Sequence, residues 1–79
     1  MFMERKYRIL GIAPYENLKN AMVTEAAKYE DIEMVVYTGN LEDGAQLALQ
    51  HMNEGFDILI SRGGTAELIR KIASIPVIE

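Results

Sequence analysis

Residues 58–71 read ILISRGGTAELIRK, and this stretch combines a strand, a turn and the start of a helix. The apolar run Ile58–Ile60 has two β-branched members, which suits a strand covered on both faces. The paired glycines Gly63 and Gly64 allow backbone angles that a Cβ atom would forbid. Thr65 is a preferred N-cap residue, and the apolar positions after it have helical spacing. The stretch therefore predicts a buried strand that turns tightly into a helix.

A turn of this kind suits a small anion. The first amides of a helix are unpaired, and the helix dipole is positive at that end. Ser61 and Arg62 precede the glycines, and the guanidinium of Arg62 adds a positive charge with a forked set of donors. A carboxylate or a phosphate would fit there. The alternative is that the glycines only permit a tight turn, with Thr65 a plain cap and Arg62 exposed to solvent, because a short glycine-rich turn is a weak motif.

Composition limits the function classes. The chain has 79 residues, which predicts one small domain over 1–79 or a fragment of one. Twelve acidic and eight basic residues give a net charge of −4, so no contact with nucleic acid is expected. The absence of cysteine excludes disulfides and thiolate sites, and no metal or cofactor is expected. No apolar run approaches the ~18 residues of a membrane span, and no signal peptide is evident, so we expect a cytoplasmic protein without membrane contact.

Alternating patterns before and after the central stretch predict further strands and helices. Residues 1–6 are expected to lead into the first strand. Pro14 fits the first turn of a helix, Asn40 with Asp43 resembles a capping box, and Gly55 suits a C-cap. The predicted strands are 7–12, 32–37, 58–60 and 77–79, and the predicted helices are 15–29, 41–52 and about 65–73.

Some residues have both a structural and a functional interpretation. His51 has no second histidine beside it and no carboxylate in evident reach, so we interpret it as a surface residue favoured by the helix dipole. The acidic group Glu30, Asp31 and Glu33 could hold a cation, but it lies at the start of a strand. Because α/β proteins bind ligands at the opposite edge, a solvated turn is favoured. The methionines in apolar patterns are interpreted as core filling: Met22, Met34 and Met52.

The order βαβαβαβ with short connections implies a parallel sheet between two layers of helices. Right-handed crossovers favour a three-layer, flavodoxin-like α/β fold with strand order 2-1-3-4, truncated after the fourth strand. The carboxyl ends of strands one and three then flank the crevice where such folds bind ligands. Tyr15 follows the first strand and Arg62 follows the third, so we expect them at the same edge. Tyr15 could contact a ligand there, or its ring could pack on the first helix.

The same topology leaves one face of the sheet incomplete. The crossover from strand two to strand three moves the later helices to the opposite side, so the first helix stands alone on its side. Strands three and four should be bare there, and an apolar face of that size is rarely left in contact with water. We expect a missing part of the parent chain, or a second copy in a homo-oligomer, to cover it.

Four runs of the sequence resemble the N-terminal domain of the propionate catabolism activator, the sensor module of many sigma-54-dependent bacterial transcriptional regulators. The resemblance extends from Tyr7 onward and is most specific over 61–71. The runs are residues 12–16, 39–44, 60–71 and 75–79. This chain corresponds to the first half of the module.

The resemblance implies a receptor rather than a catalyst. In such regulators a two-lobed α/β domain senses a small organic acid, thought to be methylcitrate or a related carboxylate, and controls an ATPase that remodels sigma-54 polymerase. A helix-turn-helix domain binds DNA. Carried onto this sequence, the ligand-facing residues are Ser61, Arg62, Gly63, Gly64 and Thr65, with Tyr15 on the neighbouring loop. The second lobe, the ATPase and the DNA-binding domain are absent from these 79 residues.

Three classes of function follow. The leading hypothesis is effector sensing by a half-domain that holds a carboxylate, and the second is an interaction module that docks through its bare sheet face. An enzyme is the weakest, because Ser61 has no evident partner base and no metal cluster emerges. A phosphoacceptor receiver is disfavoured, since it needs an aspartate at the end of the third strand, where Ser61 stands, and Asp57 lies at its beginning.

Overall fold

In a computed structural model that describes residues 6–79, four strands alternate with three helices. The lead-in predicted for residues 1–6 therefore falls almost entirely outside the described residues. The elements are β1 Tyr7–Ala13, α1 Glu16–Ala26, β2 Ile32–Thr38, α2 Leu41–His51, β3 Ile58–Ile60, α3 Gly63–Arg70 and β4 Val77–Ile78.

The strands form one parallel sheet in the order β2-β1-β3-β4. The predicted flavodoxin-like α/β architecture is therefore confirmed. Strand β1 is central, because Leu10 is opposite Val35 of β2 on one side and Leu59 of β3 on the other. Val77 of β4 is in register with Leu59.

The core lies between the sheet and the pair α2 and α3. Leu10, Ile12 and Leu59 are completely buried on this face of the sheet, as is Ile69 of α3. Because alternate residues of a strand point to opposite faces, the strand residues between these buried ones point to the α1 side of the sheet. Full burial of each large aliphatic side chain contributes about 2 kcal/mol, which makes this face the main source of stability.

Within residues 6–79, helix α1 stands alone on the other face, as predicted, and packs over β1 and β2. None of its residues is fully buried. On the same face, Ile58 and Ile60 of β3 are partly exposed and Ile78 of β4 is 48% exposed. Among residues 6–79, no helix covers this part of the sheet. We call Ile58, Ile60 and Ile78 the bare face.

The predicted helix ends differ from the observed ones in four places. Helix α1 starts at Glu16, with Tyr15 as its N-cap, so Pro14 precedes the cap instead of occupying the first turn. Its predicted end at 29 was too late, because 27–30 form a turn that leaves Tyr29 about half exposed. Helix α2 ends with Met52 as its C-cap, and Gly55, at φ +85°, lies in the turn that follows. Helix α3 ends at Arg70, not 73.

The capping box predicted at the start of α2 is wrong, although Asn40 is the N-cap residue. Its side chain makes no capping hydrogen bond, because its Oδ1 accepts from the hydroxyl of Thr65 at 3.1 Å. The backbone carbonyl of Asn40 accepts from the amides of Asp43 and Gly44 instead. The first residue of the helix, Leu41, has φ +49°, a left-handed conformation that is rare for a leucine. A contact with α3 thus determines how α2 begins.

Candidate ligand site

The turns after β1 and β3 meet at the carboxyl edge of the sheet. The guanidinium Nη1 of Arg62 donates to the phenol oxygen of Tyr15 at 3.4 Å. Both side chains are exposed, and Tyr15 is half accessible to solvent. The structure therefore brings together two of the predicted site residues that are 47 positions apart in sequence.

Helix α3 begins three residues earlier than predicted, counted by its N-cap. Arg62 is the N-cap, since its carbonyl accepts from the amide of Ala66 at 3.3 Å. The prediction that Thr65 caps the helix is wrong, because Thr65 already lies inside its first turn. Gly63 has φ +60°, which a residue with a Cβ atom adopts only under strain. The glycine at this position is thus required by the backbone.

The chain's own Glu79 already places a carboxylate at this helix end. Its Oε2 accepts from the amide of Gly63 at 3.1 Å, and its Oε1 accepts from Arg70 at 3.0 Å. The hydrogen bond from Arg70, followed by that from Gly63, lowers the pKa of Glu79. The carboxylate therefore stays ionised at neutral pH. Within residues 6–79, no hydrogen bond from the amide of Gly64 is found.

Ser61 lies just before the glycine turn and Thr65 lies in the first turn of α3, and both side chains are buried. The hydroxyl of Ser61 donates to the carbonyl of Ile12 at 2.8 Å and ties β3 to β1. The hydroxyl of Thr65 accepts from the amide of Leu41 at 2.8 Å and donates to Asn40. In this conformation, any contact of Ser61 or Thr65 with a ligand would be through the backbone.

An open cavity of about 290 Å³ lies beside the turn, on the α1 side of the sheet. Its apolar wall comes from α1 and β3, and its polar edge comes from the ends of β3 and β4. The lining residues are Leu18, Met22, Ile60, Ser61, Arg62 and Glu79.

Arg62 is the cation of this edge that is available to a ligand. No ion pair of Arg62 is found within residues 6–79, whereas Arg70 is shared between Glu67 at 3.3 Å and Glu79. Lys19 of α1 is 3.9 Å from the carboxylate of Glu16. The edge thus offers an exposed guanidinium, an exposed phenol and an apolar wall. After the hydrogen bonds from Arg70 and Gly63, the charge of Arg62 also contributes to lowering the pKa of Glu79.

Comparison with known proteins identifies the family. Residues 28–79 match the sequence model described as propionate catabolism activator. The chain belongs to this family. The resemblance inferred from the sequence is thereby confirmed.

A solved structure extends the likeness to most of the fold of this propionate catabolism activator family member. The crystal structure of an NtrC family transcriptional regulator from Clostridium acetobutylicum superposes with a TM-score of 0.77, at 30% identity over 90% of this chain. The chain spans 37% of the length of that protein. No curated protein sequence matches the chain.

Four residues of the cavity were not predicted from the sequence: Leu18, Met22, Ile60 and Glu79. Met22 was interpreted only as core filling. Glu79 follows β4, so the rule that carboxyl ends of parallel strands share an edge was a sufficient signal to find it. The contact of its carboxylate with Gly63 was not predictable, because it depends on side-chain direction.

The other polar residues considered for function lie away from this edge. His51 is not a free surface residue, because its ring stacks on Tyr37 with centroids 4.1 Å apart and its Nδ1 is 3.0 Å from a carboxylate oxygen of Glu54. Glu33 forms an ion pair with Arg8 at 3.3 Å. No cluster of histidine and acidic residues able to hold a metal is found within 6–79. None of the helices that these residues form is long and apolar enough to cross a membrane.

Proposed function

We propose that this chain is the effector-sensing segment of a sigma-54-dependent transcriptional regulator, and that it binds a small organic acid at the carboxyl edge of its sheet. Membership of the propionate catabolism activator family and the likeness to an NtrC family regulator support a regulatory, non-enzymatic role. The ATPase and DNA-binding activities of such a regulator would belong to other domains. A cytoplasmic location follows from that role.

One observation carries the proposed ligand site: Arg62, which contacts Tyr15, lines an open cavity beside the glycine turn. A carboxylate there would accept from the forked donors of Arg62 and from the amide of Gly64, with the dipole of α3 adding attraction. Tyr15 would donate a further hydrogen bond. Ser61 and Thr65 would hold the turn in place through their buried hydroxyls.

The site is tested by replacing its cation. We expect Arg62→Ala to weaken the binding of small carboxylates at least about tenfold, since a charge-assisted pair contributes roughly 1.5–3 kcal/mol. Calorimetric or NMR titration of the purified chain measures the change. Lys71→Ala is the matched control, because it removes an exposed positive charge beyond the other end of α3. Equal affinities for the wild type and both variants, or no binding to any of them, would remove the sensing function from this segment.

The bare face supports a second candidate function, an interaction module. The three isoleucines of the bare face form an apolar surface that no described helix covers. Burying this surface contributes a favourable free energy of about 25 cal/mol per Å². A second copy of the chain offers the same apolar face. We therefore propose an isologous homodimer, in which the two bare faces pack together.

Sedimentation equilibrium of the wild type and two lysine variants tests this dimer. Ile78→Lys introduces a charge into the bare face and should weaken the dimer at least about tenfold, because a buried unpaired charge is costly. Leu49→Lys is the matched control, since Leu49 is 50% exposed on α2, at the opposite side of the sheet. A monomeric wild type, or equal weakening by both variants, would contradict the proposed interface.

A further inference from the structure

We propose that Glu79 is an intramolecular competitor of the effector: its carboxylate occupies the start of α3 in the free chain and leaves when a ligand carboxylate binds there. The structural basis is that Glu79 lines the cavity together with Arg62 and already accepts a hydrogen bond from the amide of Gly63 at 3.1 Å. The inference rests on the function proposed above. It adds an autoinhibitory contact to that site.

The carboxylate of Glu79 lies where a ligand carboxylate is expected. In the proposed complex, the ligand accepts from Arg62 and from the amide of Gly64, whereas Glu79 accepts from the neighbouring amide of Gly63. The amides of consecutive residues are within about 4 Å of each other, so the two carboxylates would be in contact. Like charges at that separation repel each other even in water. Glu79 and the ligand therefore bind to this turn in competition.

The contacts of Glu79 are firm enough to occupy the turn and weak enough to be broken. Its Oε1 accepts from Arg70 at 3.0 Å, and the side chains of Arg70 and Glu79 are 39% and 41% exposed. Ion pairs with this exposure are weak, because water screens the charges. The hydrogen bonds from Arg70 and Gly63, and then the charge of Arg62, lower the pKa of Glu79. In the free chain the ionised carboxylate is thus a partial counter-ion of Arg62, and a ligand carboxylate takes over that role.

Displacement of Glu79 changes how the chain is held after β4. The backbone of β4 stays attached to the sheet, because the amide of Ser61 donates to the carbonyl of Ile78 at 3.1 Å. The contact between Glu79 and Gly63 is the next attachment along the chain. A ligand that breaks this contact releases the residue after Ile78 while the sheet remains intact. Occupancy of the cavity is thereby linked to the freedom of the chain after β4.

Titration of the purified chain and of Glu79→Gln with tricarballylate tests the competition. Glutamine keeps the length of the side chain and removes its charge, so it competes poorly with a carboxylate for the amide of Gly63. We expect the dissociation constant of tricarballylate to be about fivefold lower in Glu79→Gln, the order expected when one like charge is removed from contact. Isothermal titration calorimetry at neutral pH and constant ionic strength measures both constants. Circular dichroism verifies that the variant remains folded.

Glu67→Gln is the matched control. Glu67 is another partner of Arg70, at 3.3 Å, but it is not among the residues that line the cavity. The substitution removes the same charge from the same helix without emptying the place that Glu79 occupies. We expect the dissociation constant of tricarballylate to change by less than about twofold in this variant.

NMR of the wild-type chain detects the displacement without any substitution. In the free chain, a nuclear Overhauser effect is expected between the amide proton of Gly63 and the Cγ protons of Glu79, because the carboxylate accepts from that amide. At saturation with tricarballylate this effect should vanish. The effects between β3 and β4 should persist, since the two strands stay paired.

The outcomes distinguish this inference from the proposed function. If tricarballylate binds and Arg62→Ala weakens that binding, but Glu79→Gln binds no more tightly than the wild type, the competition is disproved and the sensing site stands. The same conclusion follows if Glu67→Gln tightens binding equally, or if the contact between Gly63 and Glu79 persists at saturation. If neither the wild type nor Glu79→Gln binds the acid, or if binding does not depend on Arg62, the proposed site and this inference both fail.

Discussion

Gly44→Ala is expected to destabilise the chain by about 3 kcal/mol, although alanine is the better helix former. A Cβ atom at Gly44 would lie 2.5 Å from Cγ2 of Thr65 and 2.6 Å from the carbonyl oxygen of Gly39. Neither neighbour can move easily. Thr65 is 1% exposed and hydrogen-bonded on both sides, and Gly39 is fixed by the bond from its amide to the carbonyl of Ala13 at 2.9 Å. Helix α2 must therefore shift away from α3.

Urea denaturation measures this loss, and Gly64→Ala provides the matched control. A Cβ atom at Gly64 meets only the terminal Cδ2 of Leu41 at 3.1 Å, and that side chain is exposed and flexible. Gly64→Ala should therefore change the free energy of unfolding by less than about 0.5 kcal/mol, or raise it slightly. Equal stability of the two alanine variants would show that α2 and α3 are not held at the close approach seen here.

The strand order and the meeting of the turns after β1 and β3 were predictable because they follow from chain connectivity. Alternating strands and helices with right-handed crossovers determine which strands are central, and the carboxyl ends of those strands must share an edge. Tyr15 follows β1 and Arg62 follows β3, so connectivity alone places the two residues at the same edge of the sheet. The bare face beyond α1 follows from the same crossovers.

The details of the turn were not predictable, because long-range side-chain contacts determine them. A threonine after two glycines has the sequence signature of an N-cap, yet Thr65 bonds to residues 24 and 25 positions away. Local patterns do not report such a partner. Leucine rarely adopts the left-handed backbone conformation found at Leu41, so the local sequence does not predict it. The contact of Leu41 with Thr65 of α3 determines this conformation. His51 was misassigned for the same reason, since its stacking partner Tyr37 belongs to another element.

The hydroxyl of Thr65 joins two of the three turns at the carboxyl edge of the sheet, and Thr65→Val should show this most directly. Valine has nearly the same shape, so the main change is the loss of the oxygen that accepts from the amide of Leu41 at 2.8 Å and donates to Asn40. An unsatisfied donor in a buried position costs about 1–3 kcal/mol, and we expect a loss of about 2 kcal/mol in the free energy of unfolding. The turn at 38–40 would also lose its connection to α3.

Amide hydrogen exchange at Leu41 distinguishes this effect from a simple packing loss. Thr65→Ser keeps the oxygen and removes a methyl group, so it should lose about 1 kcal/mol while the Leu41 amide remains protected. In Thr65→Val, the Leu41 amide should instead exchange far faster than it would if its exchange required global unfolding. A double-mutant cycle of Thr65→Val with Asn40→Ala then measures the hydrogen bond between Thr65 and Asn40. We expect a coupling energy of about 1 kcal/mol between the two residues. If Leu41 stays equally protected in the valine and serine variants, the oxygen does not hold the two turns together. Any ligand effect transmitted from α3 to the start of α2 would then need another route.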